Sequence, residues 1–66
     1  MDIGKSINVG CALFNKKKSE LAQHLGKSQV AISNYVNGHT SPSLKVVEQM
    51  AEFFGVSVSM MISWGE

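Results

Sequence analysis

Apolar residues recur along the chain at intervals of three and four, the spacing that lines one face of a helix. Ile3, Ile7, Cys11 and Phe14 mark a first amphipathic helix with that face buried, ending at Asn15 and the lysines Lys16, Lys17 and Lys18. Gly4 and Gly10 lie inside it and weaken it, since each costs about 1 kcal/mol relative to alanine. A second helix follows from Ser19, with Leu21, Ala22 and Leu25 on one face and Gly26 as a left-handed stop. Ser28 is suited to cap a third, its hydroxyl accepting from a free amide one turn on. That helix buries Ile32, Tyr35 and Val36 and stops at Asn37-Gly38. Pro42 suits the entry to a fourth helix. Its inner face is Leu44, Val47, Met50, Ala51 and Phe54, and Gly55 ends it. Ser57 caps a last short helix containing Val58, Met61 and Ile62. No segment sustains the period-two alternation of a half-buried strand; Val56-Ser57-Val58-Ser59 comes nearest and is too short. The pattern predicts an all-α fold, a compact bundle of five helices joined by turns of two to six residues, forming one domain over residues 1–66.

Composition narrows the function. Hydrophobic residues make up 44% of the chain, enough for one core. No apolar run approaches the roughly 18 residues of a membrane span. The opening Met1-Asp2-Ile3-Gly4-Lys5 lacks the regions of a secretory signal. The expected location is therefore the cytoplasm, with no membrane partner. Cys11 is the one cysteine and has no disulfide partner. It sits among Ile7, Val9, Ala12 and Leu13 and reads as a core residue. His24 and His39 are far apart and lack metal-ligand spacing, so no metal and no cofactor is expected. There is no paired acid and base, no activated nucleophile and no glycine-rich phosphate loop. The chain is not expected to be an enzyme or to take a small-molecule ligand.

Net charge is only +1, but its distribution is uneven. Up to residue 40, five lysines face only Asp2 and Glu20, giving +3; beyond it Lys45 faces Glu48, Glu52 and Glu66, giving −2. One end can face phosphates while the other faces away.

The second and third helices meet across Leu25-Gly26-Lys27-Ser28. Ala22 lies four positions before the turn glycine, where a bulky side chain would push the two helices apart. Gly26 allows the chain to reverse at positive φ without a Cβ clash. The third helix then projects as a rod whose outer face can enter a major groove. With Ile32, Tyr35 and Val36 turned inward, Gln29, Val30, Ser33 and Asn34 point outward. Gln and Asn can pair with adenine N6 and N7, and valine can touch a thymine methyl.

From Leu21 to Ile62 the chain resembles the lambdoid phage repressor and Cro type of helix-turn-helix domain, also described as the xenobiotic-response-element type. The matching residues are Leu21-Ala22, Leu25-Gly26 and Ser28; Ile32-Ser33, Tyr35 and Gly38; Pro42-Ser43-Leu44; Val47 and Met50-Ala51; Phe54-Gly55-Val56-Ser57 and Met61-Ile62. The match needs no gaps. The resemblance implies a lambda-repressor-like DNA-binding fold and a double-stranded operator read in its major groove. It implies base contacts from Gln29, Val30, Ser33 and Asn34. It also implies phosphate contacts from Lys18 and Asn37, together with Lys17, Lys27, Ser28, His39 and Thr40. In this family the position of Val36 usually carries a glutamate, commonly paired with an arginine at the position of Cys11. Both are apolar here, which avoids desolvating an ion pair, and the two residues are expected to touch between the first and third helices.

These features predict a sequence-specific, homodimeric repressor. At 66 residues the chain has no room for a separate oligomerisation or self-cleavage domain, which points to the Cro type. Phe53, Met60 and Trp64 fall outside the inner stripes of the last two helices. Their exposure suggests a two-fold contact, with half-sites about 34 Å or about 10 bp apart. Two alternatives use the same fold: an antitoxin-like module that binds protein, and a small controller protein that activates transcription.

Overall fold

A computed structural model describes residues 2–66. Met1, the remaining position of the expected domain, lies outside them. The helices are α1 (Ile3–Phe14), α2 (Lys18–Leu25), α3 (Gln29–Val36), α4 (Leu44–Phe54) and α5 (Val58–Ser63). The fold is all-α, and there is no strand among the described residues. The link between α3 and α4, residues 37–43, is one residue longer than the expected limit.

Short polar side chains start most of these helices. Asp2 Oδ1 accepts from the Lys5 amide at 3.1 Å, and Ser28 Oγ from the Ala31 amide at 3.2 Å. Ser43 Oγ accepts from the Val46 amide at 3.4 Å, and Ser57 Oγ from the Met60 amide at 3.1 Å. The fourth helix is thus capped by Ser43, and Pro42 stands just outside it. Lys17 offers no side-chain acceptor. Instead Glu20 Oε1 reaches back to the Lys17 amide at 3.0 Å, half of a capping box. Left-handed residues close the far ends of three of them: Asn15 after α1, Gly26 after α2 and Gly55 after α4.

The core joins all five helices. Ile7, Leu21, Ile32, Met50 and Met61 are its largest fully buried side chains. Ile3, Cys11, Ala22, Tyr35, Val47, Ala51 and Phe54 complete it. Two residues expected on inner faces are exposed. Leu44 is the first residue of α4 and lies beyond the reach of the core at 67% exposure. Phe14, the last residue of α1, is 42% exposed, with its ring at the rim beside Phe54 and Trp64.

The opposite correction applies to Phe53 and Trp64, which were expected to be exposed. Both are half-buried and pack against the core. Trp64 meets Phe54 edge-on with ring centroids 5.7 Å apart. Phe53 lies between Phe54, at 5.1 Å, and His24, at 5.3 Å.

Gly4 and Gly10 have a role that helix propensity does not register. Both are buried at close helix crossings. A Cβ on Gly4 would stand 2.3 Å from the Val36 carbonyl oxygen. One on Gly10 would stand 2.8 Å from the Trp64 ring and 2.9 Å from the Phe54 ring. Gly4, not Cys11, is therefore the α1 residue against the Val36 main chain. Seven residues of helix, about 10 Å, separate the two α1 positions. Cys11 is buried, and the charged groups that act on it are Lys18 and Glu20 of α2. The expected placement of Cys11 opposite Val36 is corrected accordingly.

The two ends of the described chain lie together. The Asp2 amide donates to the Gly65 carbonyl at 3.3 Å, and Lys5 Nζ donates to the Glu66 carbonyl at 3.1 Å. Ser6 is fully buried beside this seam, and its hydroxyl has no protein partner.

Candidate nucleic-acid interface

The site is built on the turn between α2 and α3. Gly26 has φ 67°, and nothing lies within 4 Å of where its Cβ would be. The glycine is there for its backbone angle and not for packing. The Lys27 amide donates to the Ala22 carbonyl at 2.9 Å and the Gly26 amide to the Gln23 carbonyl at 3.2 Å, closing the end of α2. Ala22, 2% exposed, sits in the core with Leu21 and Ile32 where the two helices converge. This packing fixes the direction in which α3 leaves the turn.

Ile32 and Tyr35 anchor α3 to the core. Gln29, Val30 and Ser33 lie on its exposed side, and Val30 is 70% exposed. Asn34 is half-buried, a partial departure from the expected outward set. Its backbone carbonyl accepts from the His39 amide at 2.9 Å and from the Thr40 amide at 3.4 Å. That tie folds the following loop back onto the helix, aided by Gly38 at φ 77°. Asn37 Nδ2 donates to Ser33 Oγ at 3.3 Å, linking two candidate contacts on one helical row. The sequence pattern gave no sign of either link, since both depend on where the loop and side chains come to rest.

Lys17 and Lys18 are exposed before and at the start of α2, and Lys27 is exposed in the turn before α3. His39 and Thr40 are exposed in the loop after it. Ser28 is exposed, and its hydroxyl is engaged in capping. Helix starts leave backbone amides without intrahelical partners and carry a partial positive charge. The starts of α2 and α3 therefore add to the field of the three lysines. Lys16, the neighbour of Lys17, is diverted: it is half-buried, with Nζ 5.0 Å from the centre of the Phe53 ring. A cation over an aromatic face is held by the ring quadrupole.

On the C-terminal side, Met60 is 50% exposed and projects from α5, while Phe53 and Trp64 are engaged within the protomer. Burial raises the Cys11 thiol pKa, opposed by Lys18 and reinforced by Glu20. Among the described residues no group of three His, Cys, Asp or Glu side chains is placed to hold a metal ion. Among the same residues no helix is long and apolar enough to cross a membrane.

Comparison with known proteins points the same way as this geometry. The sequence model of the family described as Helix-turn-helix matches residues 12–60. That span takes in the end of α1, both helices of the turn, α4 and half of α5. An uncharacterised HTH-type transcriptional regulator of Methanocaldococcus jannaschii is 40% identical over 47 residues, covering 71% of this chain and 71% of the relative.

Proposed function

Because the chain belongs to the helix-turn-helix family of DNA-binding transcriptional regulators, we propose that it is a sequence-specific repressor of the Cro type, binding a palindromic operator as a homodimer. The family's function is DNA binding and not catalysis. The observation that carries the finer reading is the placement of α3. Its exposed row of uncharged polar and apolar side chains, Gln29, Val30 and Ser33, follows the turn that carries Lys27, with Lys17 and Lys18 exposed at the start of α2.

On this reading α3 enters the major groove and Gln29, Val30, Ser33 and Asn34 meet base edges. Lys17, Lys18, Lys27, Asn37, His39 and Thr40 hold the flanking phosphates, with Ser28 at the open start of α3. Phosphate contacts set the register and base contacts supply the sequence information. A two-fold axis through the C-terminal helices places two copies of α3 about 34 Å apart, one helical turn of DNA. Met60 supplies most of the apolar contact, and Phe53 and Trp64 flank it. The protein acts as one domain over residues 1–66, in the cytoplasm, and represses by occupying its operator.

Selection of random duplex DNA by the purified chain tests this directly. The expected product is an inverted repeat with half-site centres about 10 bp apart. A folded protein that enriches no sequence would instead support the protein-binding, antitoxin-like alternative. An enriched site at which bound protein raises transcription would replace repression with the controller role.

A further inference from the structure

We infer that the base pairs read by α3 are A·T pairs, recognised through the adenine major-groove edge and the thymine methyl group, and that guanine is not a specified base. This rests on reading α3 as the recognition helix. The chain contains no arginine: its six basic residues are Lys5, Lys16, Lys17, Lys18, Lys27 and Lys45. Guanine presents two acceptors, N7 and O6, in the major groove. Its complement is a group with donors and no acceptor, the arginine fork above all, or a lysine. None of the eight residues of α3, Gln29–Val36, is charged.

What α3 does present matches the other base pair. The Gln29 and Asn34 amides each combine a donor with an acceptor. Adenine N7 and N6–H₂ offer the reciprocal pair, whereas guanine N7 and O6 can engage only the amide NH₂ and leave its oxygen without a partner. Val30 is the most exposed large apolar side chain among the described residues, at 70%. Its branched Cβ leaves it nearly rigid on a helix. The apolar feature of the major groove that such a side chain can cover is the thymine methyl. Ser33 Oγ accepts from Asn37, which leaves its O–H free to donate. N7 of either purine satisfies that donor, so Ser33 adds no preference between them.

The test starts from the duplex that the full chain enriches from a random pool. Affinity is then measured on that site with single thymines replaced by uracil, for the parent and for Gln29→Ala, Gln29→Arg, Val30→Ala and Lys27→Ala. These side chains are exposed, and circular dichroism checks that each variant keeps its helices. The expected motif has A·T at the position whose preference Gln29→Ala erases, and Gln29→Arg moves that preference to guanine. Uracil at one thymine weakens the parent about fourfold, the worth of one buried methyl-sized group, and leaves Val30→Ala unaffected. Lys27→Ala keeps the motif and weakens binding on every sequence. Guanine at the position governed by Gln29, or indifference to uracil at every thymine, overturns the inference while leaving the DNA-binding reading intact. Failure to enrich any duplex overturns that reading itself.

Discussion

Gly4→Ala sets helix propensity against packing, and the structure decides which wins. Alanine in place of glycine in a helix gains up to about 1 kcal/mol. Against this, the new Cβ would lie 2.3 Å from the Val36 carbonyl oxygen and 3.0 Å from its carbonyl carbon. The obstacle is main chain, so no rotamer change relieves it, and α1 must move away from α3 by roughly 1 Å. Overpacking of a filled interior costs about 1–3 kcal/mol, sometimes more, and a rigid obstacle belongs at the upper end. The net expectation is a loss of about 1–2 kcal/mol, or about 5–15 °C in Tm for a domain this small. Two other glycines separate the contributions. Gly10→Ala meets the edges of the Phe54 and Trp64 rings, which can tilt, so it loses less. Gly26→Ala meets nothing within 4 Å and loses only the left-handed penalty of about 1–2 kcal/mol at φ 67°. Urea titration followed by Trp64 fluorescence and far-ultraviolet circular dichroism gives all three values. A Gly4→Ala protein as stable as the parent, or more stable, would refute the packing argument.

Three further outcomes are expected. Lys18→Ala weakens binding on all sequences alike and makes the dependence of log K on log salt shallower by about 0.9; a change in the preferred motif would show that Lys18 reads bases. Met60→Glu weakens dimerisation in sedimentation with little change in Tm, whereas Trp64→Ala lowers stability by about 2 kcal/mol because its ring is half-buried on Phe54; unaltered stability in Trp64→Ala would contradict that packing. Burial holds the Cys11 proton to higher pH in the folded chain than in the unfolded one. The folded state then binds more protons, so stability falls as pH rises past the ordinary thiol pKa. The difference from Cys11→Ala, measured by urea titration at pH 7 and at pH 9.5, should show this decline and vanish if the thiol ionises equally in both states.

The helices were legible because local chemistry marks their ends. Ser28 and Ser57 cap as their positions suggested, and Gly26 and Gly55 take the left-handed conformation. The turn that aims α3 follows from the same short-range rules. Periodicity failed at helix termini, where Phe14 and Leu44 continue an apolar stripe beyond the edge of the core. It failed again at Phe53 and Trp64, which lie off the inner stripe but meet aromatic rings from other elements, Phe53 that of His24 on α2 and Trp64 that of Phe54 on α4. Lys16 reads as one of three equivalent cations until its position over Phe53 distinguishes it. Gly4 and Gly10 show the limit most clearly. Propensity counts them only as a cost, because the carbonyl and rings that require their small size arrive from distant parts of the chain.

The seam between Asp2 and Gly65 governs the order in which a growing chain can complete itself. Helix α1 is made well before it can be finished, since the Gly65 carbonyl that accepts from the Asp2 amide and the Trp64 ring that covers Gly10 are added only after α5. At about 5–20 residues per second, synthesis from α1 to that end takes about 3–13 s. Until Trp64 arrives, Phe54 of α4 is the ring available to lie against Gly10, and the α5-facing side of α1 is covered only in part. A ribosome stalled after α4 would hold a chain with the turn and α3 already made but the bundle open at one end, and quality control would meet that apolar opening before DNA did.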